Sequence, residues 1–361
     1  MRILYCTSSL ARAGGIERVL TRKANWLSAD GAEVHIVTAR QKGRKPFFPL
    51  DPGVHLVDLH RSFTGTFRER LRKAVSSIDP DICISLGGKD AFFLPEAAQG
   101  RPCLVEYHFC YDKFFLKYPK PYAWLRTRLR DRAFGKFDCL VALTRADRPA
   151  WSPVIRDVRQ IYNPVTTAAP QESPASPLDA RRVIAVGRLE TEKNFADLIR
   201  AWRRVASAHP DWKLDIFGEG SQRNKLQGLI RGLGLEGKVT LCGASDAIAA
   251  EYLRSSALVL CSRREGFPLV LVEGCSAGLP LISYDCPTGP SEIIEDGVNG
   301  LLVKTGDTDQ LAASVCRIIE DEALRKNMGA VALRTARRFT PPVVMGQWKA
   351  LFAELTAGKH R

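Results

Sequence analysis

A chain of 361 residues with 45% hydrophobic content and interspersed charge is long enough for two domains of ordinary size, each with its own core. No apolar run approaches the roughly 20 residues that span a bilayer, and the opening Met1-Arg2-Ile3-Leu4-Tyr5-Cys6 reads as a strand rather than a signal peptide; this argues against a membrane-embedded or exported protein, and a cytoplasmic one is expected. The net charge of +14 is uneven: residues 1–165 hold 28 Lys/Arg against 16 Asp/Glu, a surplus of 12, whereas residues 166–361 hold 25 against 23, a surplus of 2, so attraction to anions belongs to the first half. The ten cysteines are scattered without a C-x-x-C pair, which favours free thiols over a bridge framework or a zinc site.

Arg2 to Ser8 is the first strand. It leads into Ala13-Gly14-Gly15-Ile16-Glu17-Arg18, then a helical pattern through Val19, Leu20, Ala24 and Leu27 that closes near Gly31, and Glu33 to Thr38 is the second strand. Strands alternating with helices predict a parallel sheet covered on both faces. Ligands of such sheets lie at the carboxyl ends of the strands, where Gly14 and Gly15 fall. The turn lacks G-x-G-x-x-G, and Gly87-Gly88-Lys89 lacks the first glycine and the Ser/Thr of a P-loop, so neither a dinucleotide enzyme nor an ATPase is expected. Asp81 to Leu86, Cys103 to Tyr107, Asp138 to Leu143 and Val158 to Tyr162 continue the sheet. His108 closes one of these strands; a lone histidine there is commonly structural, and its position at the same edge as the glycine turn makes it a candidate.

Residues 111–136 interleave cations with rings. Lys113, Lys117, Lys120, Arg126, Arg128 and Arg130 alternate with Phe114, Tyr118, Tyr122 and Trp124. Rings at headgroup depth and cations at lipid phosphates suit an anionic membrane surface, at about 1 kcal/mol per cation. An ordinary helix with a solvated basic face is the alternative, and Pro119 and Pro121 are expected to interrupt any long amphipathic helix.

Residues 166–180, rich in Pro, Ser and Ala, read as a linker between a domain of residues 1–165 and one of residues 181–342. A second alternating series runs through Arg182 to Val186, Trp212 to Phe217, Val239 to Leu241, Ala257 to Cys261, Leu279 to Ser283 and Leu301 to Val303. Residues 343–357 read as a terminal helix with Trp348, Leu351 and Phe352 on its apolar side.

The chemistry concentrates in the second series. Gly187-Arg188-Leu189 ends its first strand, and Lys193 precedes a helix expected to be capped by Asn194 with Asp197 at the reciprocal position. The stretch from Cys261 to Gly274 runs from a buried strand through Glu265, Gly266 and Phe267 to Pro268, placed where a helix should begin, with Glu273 on that helix. A helix start is an anion site, and Arg188 and Lys193 add donors for a diphosphate while the glutamates accept from sugar hydroxyls. Two glutamates eight apart also occur as solvated charges, but the apolar setting and the small residues after Glu273 argue for close packing. Asp79-Pro80-Asp81 and Asp307-Thr308-Asp309 look like D-x-D metal motifs and are read as turns and caps, so no metal is expected.

Gly14-Gly15-Ile16-Glu17-Arg18, Tyr162-Asn163-Pro164, Gly187-Arg188-Leu189, Glu192-Lys193-Asn194, Gly218-Glu219-Gly220, Glu265 with Glu273 as E-x7-E, and Glu292 through Val303, in this order and spacing, resemble the retaining glycosyltransferases of family four. The resemblance implies the two-domain α/β fold called GT-B, with Rossmann-like domains facing each other across a cleft and the terminal helix returning to the first. It implies a nucleotide-sugar donor held by the second domain, Glu273 at the ribose, Glu265 at the sugar, Arg188 and Lys193 at the diphosphate, Gly14 and Gly15 approaching the donor, and His108 near the anomeric carbon. The segment Asp285-Cys286-Pro287-Thr288-Gly289-Pro290-Ser291 departs from the usual paired-glycine loop and is similar to a subgroup using UDP-sugars on lipid-linked glycans and surface polysaccharides. Peripheral attachment at the inner membrane face, a glycan or glycolipid acceptor and no nucleic acid are the further expectations. An epimerase of the same shape and a basic nucleic-acid-binding protein are the rivals.

Overall fold

The computed structural model describes residues 1–115, 118–165 and 175–357. Two compact units emerge, Met1–Thr166 with Pro341–Arg361, and Thr167–Thr340.

Unit 1 is built on seven strands, β1 Arg2–Thr7, β2 Glu33–Thr38, β3 Val54–Asp58, β4 Ile82–Ser85, β5 Cys103–Tyr107, β6 Cys139–Ala142 and β7 Val158–Gln160. They pair in parallel in the order β3-β2-β1-β4-β5-β6-β7. Its central strands are apolar on both faces because helices cover both, and β4, β5 and β6 are buried at every position. β3 is absent from the sequence reading: Val54-His55-Leu56-Val57-Asp58 is an edge strand with polar residues, and carries no continuous apolar signal.

Unit 2 has six parallel strands, β8 Arg182–Val186, β9 Lys213–Phe217, β10 Val239–Gly243, β11 Ala257–Leu260, β12 Leu281–Tyr284 and β13 Gly300–Val303, in the order β10-β9-β8-β11-β12-β13. The helix Phe195–Ala208 covers one face with Phe195, Leu198, Ile199, Trp202 and Val205, the spacing of a single helical stripe. The part of the expected linker that is described does not hang free. Ser176 N donates to Ala277 O and Ser176 Oγ to Ser255 O, and Arg325 Nε donates to Leu178 O, so the chain joins unit 2 before β8. Residues 166–174 of that linker lie outside the described residues.

In each sheet the chain reverses its direction of travel once, between β1 and β4 and between β8 and β11. The loops that follow the strands at such a switch point diverge and leave room for a ligand at the carboxyl edge. The terminal helix is Pro341–Ala357; it starts two residues earlier than the apolar pattern predicts because prolines are tolerated in a first turn. Val344, Met345, Trp348, Leu351 and Phe352 complete the unit 1 core around Ile3, Tyr5, Leu20 and Leu27. All ten cysteines are free thiols, seven of them buried.

Candidate functional site

The loops after β8 and β11 carry Arg188, Lys193 and Glu265, and those strands are neighbours. Lys193 Nζ lies 2.6 Å from Glu265 Oε1, both mostly buried although 72 residues apart in sequence. Backbone bonds fix this meeting: Arg263 N donates to Glu192 O, and Cys261 Sγ to Lys193 O. Arg188 is exposed and held by Glu192 Oε1 at 2.6 Å. Gly187 N donates to Phe217 O and Leu189 N to Glu219 O, which locks the Gly187 loop to the Gly218 loop. Gly218 adopts φ +138°, and a Cβ there would sit 1.9 Å from Gly187 O, so only glycine fits.

The segment that departs from the paired-glycine pattern closes on Glu265. Glu265 N donates to Pro287 O, and Thr288 donates through both N and Oγ1 to Glu265 O, binding the segment to the Glu265-Gly266-Phe267 loop. Phe267 is buried. Gly289 has φ +110°, and a Cβ would meet Pro268 Cδ at 2.6 Å.

Pro268 is the residue before the helix Leu269–Ser276 rather than its first turn, one position earlier than expected, because its ψ of 89° is extended. The first N–H groups of a helix have no intrahelical partner, so this start still offers donors and a positive dipole end. Glu273 is buried on that helix, and Tyr252 Oη donates to its Oε2 at 2.9 Å. A Cβ on Gly274 would come within 3.1 Å of Leu281, which shows how closely the helix rests on the sheet.

Asn194 does not cap as expected. It sits in the left-handed region with φ 55° and makes no side-chain cap bond; its Nδ2 donates to Asp197 Oδ2 at 2.7 Å. Asparagine tolerates that conformation, and the carboxylate outcompetes a backbone partner. Asp307 accepts from Gln310 N as a helix cap. Asp79 closes a helix in the left-handed conformation, paired with Arg101 at 2.5 Å, and Asp81 accepts from Arg2 N. Among the described residues two clusters have metal-ligand character, Glu33/His35/His55 and His209/Cys316/Glu320, and neither contains a residue of these loops.

In unit 1, Gly14 and Gly15 open the helix Gly15–Ala29 after β1, with the Glu17 carboxylate folded against Gly14. His108 follows β5 and is buried, its Nε2 3.2 Å from Glu106 Oε1. Glu106 Oε2 is 2.6 Å from Lys23 Nζ, and that ammonium stands 3.5 Å above the Trp348 ring. Burial alone would push the Glu106 carboxyl up, but Lys23 and His108 bring it down to about 2. Lys23 and Glu106 escape the sequence reading, yet each leaves a signal. Lys23 falls on the apolar stripe of Val19, Leu20, Ala24 and Leu27, and Glu106 interrupts the apolar strand Cys103–Tyr107.

The helix Lys120–Phe134 carries the basic and aromatic residues. Pro119 and Pro121 start it instead of interrupting it. Trp124, Leu125, Leu129, Arg126 and Arg128 are exposed, with Arg126 against Tyr122 and Arg128 over Trp124. Lys120 is exposed at the helix start, and Lys113 lies 3.1 Å over the Phe109 ring. Arg130 is not a surface residue: it is buried, bonded to Asp131 and to Tyr111 O, and stacked near Trp151, because its position shares the inward face with Ala123, Thr127 and Phe134. Lys117 lies outside the described residues.

Two family models divide the chain between them, Glycosyltransferase Family 4 over residues 13–169 and Glycosyl transferases group 1 over residues 168–334. An exopolysaccharide phosphotransferase of Streptomyces coelicolor is 37% identical over 61% of the chain, which spans only 24% of that protein. A Campylobacter jejuni α-1,4-N-acetyl-D-galactosaminyltransferase, named for an undecaprenol-linked glycan, is 26% identical over 98% of the chain and 99% of its own length. The HepE protein of Anabaena, solved in complex with UDP, shares the fold with a TM-score of 0.81 at 21% identity, covering 98% of this chain and 100% of that one. With two parallel sheets whose carboxyl-edge loops carry the motifs, and with both halves matched in order, the chain belongs to the GT4-like glycosyltransferases of the GT-B fold.

Proposed function

We propose that the protein moves a hexosyl unit from a UDP-sugar to a hydroxyl of a lipid-linked or polysaccharide glycan, with retention at the anomeric carbon, at the inner face of the membrane. The observation that carries this reading is the pairing of Lys193 with Glu265 at the carboxyl edge of the second sheet, beside the start of the helix Leu269–Ser276. An ammonium for phosphate and a carboxylate for hydroxyl, within 2.6 Å of each other, suit a ligand that carries both. In the reaction the bond from C1 to the β-phosphate oxygen breaks, and its electron pair leaves with the diphosphate. The acceptor oxygen bonds to C1 on the same face, and its proton passes to the departing phosphate. Arg188 and Lys193 meet the leaving charge as fixed cations, and Glu273 serves the ribose.

Support for UDP and for a lipid-linked acceptor comes from what HepE was solved with and what the Campylobacter enzyme is named for. Support for membrane attachment comes from the exposed rings and cations of the helix Lys120–Phe134; no helix of the described residues is long and apolar enough to cross a bilayer. Incubation with UDP- and GDP-sugars tests the reading. Slow release of free UDP, undiminished by excess EDTA, is expected, and Arg188→Ala should slow it by roughly 10²–10³-fold. A sugar-nucleotide isomer in place of UDP, or a requirement for added manganese, would overturn it.

A further inference from the structure

The charged core of unit 1 has no role in the reading above. Lys23, on the helix after β1, is 1% exposed, and Glu106, on β5, is equally buried. Breaking a buried pair by removing one partner is costly, but replacing both with apolar groups of similar volume commonly leaves a fold as stable or more so. Stability alone therefore does not require these charges. Their geometry points elsewhere. The two oxygens of Glu106 divide between partners, Oε2 to Lys23 at 2.6 Å and Oε1 to His108 Nε2 at 3.2 Å. The Lys23 ammonium is held from its other side by the Trp348 ring at 3.5 Å, so the carboxylate is fixed by a group that is itself fixed. His108 Nε2 is thus within reach of the same carboxylate that Lys23 fixes.

We infer that Glu106 and Lys23 are positioning residues that keep the His108 proton on Nε2 and leave Nδ1 as the acceptor it offers to a sugar hydroxyl. A neutral imidazole has one donor and one acceptor nitrogen, and the carboxylate behind it decides which is which. Lys23 keeps that carboxylate ionised and pointed, and Trp348 makes the terminal helix part of the device. This rests on the role near the anomeric carbon that the family resemblance implies for His108.

The experiment compares wild type with Glu106→Gln, the double variant Lys23→Met/Glu106→Gln, and His108→Ala. UDP-glucose, UDP-galactose and UDP-N-acetylglucosamine serve as hydrolysis probes, with Tm and the ¹⁵N shifts of the His108 ring measured alongside. Glu106→Gln is expected to lose both Tm and rate. The double variant, free of the orphaned charge, is expected to regain Tm while remaining about 10²-fold slow, the scale of a small misplacement at a reacting centre. Its His108 ring should change from a single Nε2-protonated form to a mixture of tautomers. A double variant with wild-type rate and an unchanged His108 tautomer would overturn the inference. Should His108→Ala turn over the probes at wild-type rate, the reading of His108 fails by itself, and the ¹⁵N shifts still decide whether Glu106 holds the ring.

Discussion

Asp90, in the turn after β4, and Glu106, on β5, are buried carboxylates of unit 1 with opposite titrations. Glu106 has an ammonium beside it, which brings it down to about 2, whereas Asp90 has the Ser85 hydroxyl at 2.5 Å but no cation beside it among the described residues, so burial pushes its carboxyl up to about 6. The sign of the effect on stability follows. Between the unfolded value near 4 and about 6, the folded chain holds a proton that the unfolded chain has released, so Asp90 lowers stability as pH rises through that window. Asp90→Asn should match wild type near pH 4 and exceed its Tm increasingly toward pH 7. A Tm difference that stays flat across melts from pH 4 to 7 would refute this assignment. Legibility differs among the charged residues for the same reason. Arg188, Lys193 and Glu265 stand out in sequence because they sit in motifs at strand ends. Asp90 looks like any loop aspartate until the fold encloses it.

At the scale of elements, glycines and one helix separate packing from surface. Gly218→Ala sets a methyl 1.9 Å from Gly187 O at φ +138°, and should destabilise by more than about 1 kcal/mol while displacing the Arg188 loop. Gly228→Ala, inside the helix Arg223–Gly232 with open space around it, should instead stabilise by up to about 1 kcal/mol. Urea melts of the two variants check both signs. In the helix Lys120–Phe134 the exposed Trp124 and Leu129 face away from the inward Ala123, Thr127 and Arg130. Trp124→Ser with Leu129→Ser should weaken sedimentation with phosphatidylglycerol vesicles and leave Tm unchanged. Arg130→Ala should do the reverse, since it strips partners from Asp131 and Tyr111. Equal vesicle binding by wild type and the double variant would remove the membrane role from this helix. The basic-aromatic composition was readable from the residues; which cation turns inward was not, because two prolines and a ring-rich approach hide the helical phase until its start at Lys120 is known.

For the whole molecule, the last helix in sequence completes the core of the first unit. Trp348 is fully buried among Ile3, Tyr5, Leu20 and Phe352 and lies under Lys23. Trp348→Ala should cost about 3–5 kcal/mol, read as a fall in the denaturation midpoint. Retention of the wild-type midpoint would mean that the terminal helix is dispensable to unit 1. By itself the sequence determined the alternation of strands and helices, the two series, and the strand ends where Gly14, His108, Arg188 and Glu265 stand, since apolar periodicity and turn chemistry are local properties. Only the tertiary structure decided that Lys193 meets Glu265, that Tyr252 takes an oxygen of Glu273, that Lys23 and Glu106 lie behind His108, and that Arg130 is enclosed. Those contacts depend on strand order, which places β8 beside β11, and β4 between β1 and β5, and strand order is set by how whole elements pack rather than by any stretch of residues.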